Sequence, residues 1–134
     1  MWKCAGESDA LRVLLVEDED LAAAQLGRAL RFGRFDVVIA SSADRALLEI
    51  AAEPPDVVLI DLHVRPVAVI KLVRSIRARE DGRDTPVAIL TGDYYGFQVA
   101  LEDELKILKT ALFYKPLLPE QLVMSVRALA EREI

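Results

Sequence analysis

Asp56-Val57-Val58-Leu59-Ile60-Asp61 decides the fold: four consecutive apolar residues, three of them β-branched, end on a carboxylate. A short apolar run without polar alternation reads as a strand buried on both faces. Four further runs have this character, at Leu11–Val16, Asp36–Ala40, Val87–Leu90 and Ala111–Tyr114. Between and after them the apolar residues fall at helical spacing. The stripes are Ala22, Leu26, Ala29 and Leu30, then Ala43, Ala46, Leu47, Ile50 and Ala51, then Val69, Leu72, Val73 and Ile76. Phe97, Leu101, Leu105 and Leu108 follow, and Leu122, Val126, Leu129 and Ala130 close the series. Ser41 or Ser42 suits the cap of the second helix, Pro54-Pro55 its end, and Pro119 the first turn of the last. Five strands alternating with five helices make an α/β chain, a doubly wound parallel sheet with right-handed crossovers and helices on both faces.

Composition bounds the rest. The chain has 134 residues, 53% of them hydrophobic, enough for one domain with a sizeable core. The formal net charge of −5 argues against nucleic-acid binding by this domain, which needs clustered Lys and Arg. One cysteine, Cys4, excludes an internal disulfide. No apolar run resembles a signal peptide or a membrane span, so a cytoplasmic protein without membrane association is expected. Residues 1–10 read as a flexible tail, and 11–134 as the domain.

In an open parallel sheet, ligands bind at the carboxyl ends of the strands, near the switch in strand order. Glu17, Asp18, Glu19 and Asp20 follow the first strand, Asp61 the third, Thr91-Gly92 the fourth and Lys115-Pro116 the fifth. Crowded carboxylates repel one another, and a hard cation such as Mg²⁺, which prefers oxygen ligands, relieves the repulsion. A carboxylate is also a competent nucleophile toward phosphorus. A lysine and a hydroxyl alongside neutralise and hydrogen-bond phosphoryl oxygens. Glycine-rich phosphate-binding loops are absent after the first strand, which excludes that class of nucleotide site.

Four pieces in order, Val13-Leu14-Leu15-Val16-Glu17-Asp18, Val57-Val58-Leu59-Ile60-Asp61-Leu62, Val87-Ala88-Ile89-Leu90-Thr91-Gly92 and Tyr114-Lys115-Pro116, resemble the receiver domain of two-component response regulators. The resemblance covers Leu11 to the end of the chain. It implies a flavodoxin-like sheet of order 2-1-3-4-5. It implies Asp61 as phosphoacceptor, with Asp18 as a direct Mg²⁺ ligand, Glu17 as a ligand acting partly through water, and the backbone carbonyl of His63 as a third. Thr91 is the implied switch hydroxyl, Lys115 the lysine that pairs with the acceptor, and Lys115-Pro116 a cis peptide. It further implies a histidine kinase or histidine phosphotransfer protein as donor and a downstream protein partner. Self-phosphorylation and slow self-hydrolysis would be the only chemistry, so no ordinary enzyme is expected. The output face would comprise the fourth helix, fifth strand and fifth helix, which also admits a homodimer.

The chain departs from that family at several points. Arg65 and Val69 stand where a proline and a glycine are usual, and Leu112 where the switch aromatic is usual, with Phe113 and Tyr114 after it. The Thr91-to-Lys115 segment is about two residues longer and contains Tyr94-Tyr95-Gly96-Phe97. These departures favour a rival, a degenerate receiver that binds partners without phosphorylation. A second rival, a phosphatase with an aspartyl nucleophile, needs a second aspartate where His63 stands. Lys71, Arg74, Arg77 and Arg79 read as a solvated basic band on the third helix, with a docking surface for an acidic partner as the alternative.

Overall fold

The computed structural model describes residues 10–61, 66–92 and 103–132. The elements run β1 (Arg12–Glu17), α1 (Asp20–Phe32), β2 (Asp36–Ala40), α2 (Ala43–Ala52), β3 (Val57–Asp61) and α3 (Pro66–Ala78). A 3₁₀ turn (Glu80–Gly82), which sequence periodicity did not suggest, precedes β4 (Val87–Thr91). A helical stretch at residues 103–107, here α4, is followed by β5 (Thr110–Tyr114) and α5 (Pro119–Ala130).

All strand pairs are parallel and the order is β2-β1-β3-β4-β5, as the resemblance implied. Period-two alternation splits each strand between two cores. Val13, Leu15, Val57, Leu59, Ala88 and Leu90 pack with Leu30 of α1 and with Leu122, Val126 and Leu129 of α5. Leu14, Val16, Val58, Ile60 and Ile89 face the other way, onto α2, α3 and Leu105 of α4. Central strands covered on both sides are therefore continuous apolar runs.

Strand ends differ from the sequence reading in a consistent way. Glu17, Asp61 and Thr91 are the last residues of their strands rather than the first residues beyond them. The ladder pairing carries them, since Glu17 pairs with Asp61 and Thr91 with Tyr114. Helix punctuation follows the sequence. Ser42 caps α2 by accepting the Arg45 N–H at 3.1 Å, and Pro119 opens α5. Val69, where a glycine was expected, is 1% exposed and belongs to the apolar stripe of α3. The expected tail, the loop at 62–65 with His63 and Arg65, and Tyr94 to Phe97 lie outside the described residues.

Arg77 corrects the reading of a solvated basic band. Its guanidinium turns inward and donates to four backbone carbonyls: Leu108 (2.7 Å), Gly82 (2.9 Å), Thr85 (2.5 Å) and Lys109 (3.2 Å). One side chain thus ties α3 to the 3₁₀ turn, to the approach to β4 and to the α4–β5 turn. Of the others, Arg74 pairs with Glu104 and Arg79 with Asp81. Gly82 belongs to the same junction, because a Cβ there would lie 2.1 Å from the carbonyl oxygen of Ile76. Gly82→Ala is expected to destabilise the domain by about 2 kcal/mol, since rigid backbone must give way. Urea unfolding would measure it.

Candidate functional site

The parallel register builds the site. Glu17 and Asp61 are partners across β1 and β3, and paired residues of adjacent strands project to the same face. Both are almost fully buried, at 1% and 3% exposure. Glu17 Oε1 accepts the backbone N–H of Glu19 at 3.3 Å, and its Oε2 is sealed from solvent. Asp18, the next residue, is exposed.

Lys115 enters from the far side. Its backbone N–H donates to the Thr91 carbonyl at 2.8 Å, which continues the β4–β5 ladder and fixes where its side chain starts. From there Nζ reaches Asp61 Oδ1 at 2.8 Å. The lysine stands beyond β5 and the aspartate ends β3, so the two side chains and the contact between them together bridge roughly 10 Å, two strand spacings. Among cationic side chains only those with long stems span that gap. The Lys115-Pro116 peptide is cis, as the resemblance implied. Thr91 ends the intervening strand β4 and is 6% exposed. Among the described residues, nothing lies within 4 Å of where a Gly92 side chain would stand.

The structure therefore brings Glu17, Asp61, Thr91 and Lys115 to one end of the sheet, with Asp18 at the rim. A cavity of about 520 Å³ opens beside Asp61 and Lys115, walled by Gln25, Leu26, Pro116 and Leu122. Among the described residues, no set of three or more acidic, His or Cys side chains is gathered as a metal cluster. What is present is the adjacent pair Glu17 and Asp61, with Asp18 next in sequence and one ammonium against them. Among the described residues Lys115 pairs with Asp61, and Glu17 is buried beside that pair, so carboxylates outnumber the ammonium there. Mg²⁺ keeps several waters and needs only one or two carboxylates, so this donor set fits it. His63 lies outside the described residues.

One neighbour was named from sequence without a role. Tyr114 is the register partner of Thr91 and is half-buried, on the same sheet face as Leu112. An aromatic residue is thus beside the threonine, two residues after the position where the family usually has one. Period two was the available signal, because residues 112 and 114 of one strand share a face.

Known proteins agree with this architecture. A family model described as response regulator receiver domain matches residues 13–127. The transcriptional regulatory protein PrrA of Mycobacterium bovis is 28% identical over 90% of the chain. The response regulator MprA of Mycolicibacterium vanbaalenii is 28% identical over 91%. The chain spans about half the length of these relatives, 50% and 51%. Among solved structures, the Vibrio cholerae chemotaxis protein CheY4 superposes with a TM-score of 0.79 at 21% identity, covering 90% of this chain and 98% of that one. The receiver domain of the sensor histidine kinase PA1611 from Pseudomonas aeruginosa, solved with magnesium in its active-site cleft, has a TM-score of 0.78 at 20% identity, covering 92% of this chain and 99% of that one. Sheet order, site and family match converge, and the chain belongs to the response regulator receiver domain family of two-component signalling proteins.

Proposed function

We propose that this domain accepts a phosphoryl group on Asp61 and thereby switches a protein-interaction face. The observation that carries the reading is the buried Asp61 carboxylate held 2.8 Å from Lys115 Nζ, with Glu17 paired beside it. Mg²⁺, held by Asp18, Asp61 and Glu17 and by the His63 carbonyl, would offset the charge of the incoming phosphoryl oxygens. One Asp61 carboxylate oxygen attacks phosphorus, and the leaving group departs with the bonding electron pair. Lys115 then turns its ammonium from the carboxylate to a phosphoryl oxygen. The Thr91 hydroxyl donates to another. A histidine kinase or histidine phosphotransfer protein is the proposed donor, in keeping with the family match, and the phosphorylated state is lost slowly to water. Among the described residues no helix is long and apolar enough to cross a membrane. A cytoplasmic site of action fits that.

Tyr114 gives Thr91 a route to the output face of α4, β5 and α5. Thr91→Ala is expected to leave the rate of phosphorylation within a few-fold of wild type. It should abolish the phosphorylation-dependent shifts of β5 and α5 amides in an NMR spectrum. The degenerate rival predicts no phosphorylation at all. To test the proposal, the protein is incubated with an acyl-phosphate donor and Mg²⁺, trapped with hydroxylamine and mapped by peptide. Modification at Asp61 supports it. Modification elsewhere, or none, opposes it.

A further inference from the structure

A second charged site lies at the opposite end of the sheet from Asp61. Arg77, Arg83, Asp84, Thr85, Lys109 and Arg132 line a cavity of about 180 Å³. They come from the end of α3, the approach to β4, the α4–β5 turn and the segment after α5. Four cations face one carboxylate, in a chain whose net charge is −5. Lys109 uses that carboxylate, pairing with Asp84 at 3.2 Å, and Arg77 spends its donors on backbone carbonyls. Arg83 and Arg132 enter no ion pair among the described residues. Both are exposed at the rim and free to converge on a ligand.

Two further observations agree. Lys109 sits at φ 52°, in the left-handed region that a helix terminus normally assigns to glycine, yet it carries a long cationic side chain into the cavity. Burial lowers the proton affinity of Arg77; Asp84 opposes that shift and the like charge of Arg132 adds to it. The cations are thus close enough to repel, and an anion between them relieves the repulsion.

We propose that this cavity binds a small multiply charged oxyanion of the phosphate class, clamped between Arg83 and Arg132. A cavity of about 180 Å³ has room for such a ligand. Guanidinium forks suit tetrahedral oxyanions, which accept two parallel hydrogen bonds from one arginine. The bound anion bridges the approach to β4 and the end of α5, so it stabilises the folded chain.

The test titrates inorganic pyrophosphate at constant ionic strength, following the melting temperature and assigned amide shifts. Saturable stabilisation is expected, with shifts at Thr85, Val87 and Thr110. Arg83→Ser with Arg132→Ser should weaken binding at least tenfold, while Lys115→Met, at the other end of the sheet, should leave it unchanged. Shifts confined to Thr91 and Gly92, or loss of binding in the Lys115 variant, would assign the anion to the Asp61 end and overturn the proposal. No saturable response would overturn it too, as would binding of a polyglutamate peptide without pyrophosphate. None of these outcomes depends on whether Asp61 is phosphorylated.

Discussion

Lys115→Met is expected to slow phosphorylation of Asp61 by about 100-fold, the usual cost of removing one preorganised charge from a site where negative charge accumulates. Methionine keeps the apolar stem, so packing beside Pro116 survives and the loss isolates the ammonium. That ammonium touches Asp61 Oδ1 at 2.8 Å, inside a pocket where the carboxylate is almost fully buried. Coulombic attraction is stronger there than at the open surface. Single-turnover phosphorylation from a small acyl-phosphate donor, at saturating Mg²⁺, measures the effect. A rate within threefold of wild type would show that the lysine is not part of the chemistry.

Arg77→Ala is expected to cost about 3 kcal/mol of unfolding free energy. Four carbonyls from three segments lose a charged donor at once. Those of Gly82 and Thr85 lie in a tight turn, where Gly82 has no room for a side chain beside the Ile76 carbonyl. Arg77→Lys keeps the charge but replaces a five-donor fork with a compact ammonium, so it should recover less than half of the loss. Equilibrium urea unfolding of the three proteins, with matched m-values, decides. If the lysine variant equals wild type, the fork geometry is irrelevant and a single charge suffices.

The sheet was legible because its three central strands, β1, β3 and β4, are buried on both faces and print apolar runs in the sequence, while the edge strands β2 and β5 are only partly buried. The site was legible because chemistry in such sheets collects at strand ends, and Glu17, Asp61, Thr91 and Lys115 were among the polar residues there. Two kinds of feature were hidden. Arg77 lies on a helical stripe of cations, and nothing local distinguishes a side chain facing water from one that reaches carbonyls 31 residues away in sequence. Tyr114 was hidden for a related reason. Its closeness to Thr91 depends on the β4–β5 register, which only pairing reveals. The strand ends were read one residue short at Glu17, Asp61 and Thr91, because a polar residue looks like the end of an apolar run although the ladder continues through it.

The most direct test of the central claim is the intact mass of the protein after incubation with an acyl-phosphate donor, with and without Mg²⁺, alongside Asp61→Asn. A gain of one phosphoryl group in wild type with Mg²⁺, absent without the metal and absent in the asparagine variant, is the predicted result. An equal gain in Asp61→Asn, or no gain in wild type under conditions that modify another receiver domain, would contradict it.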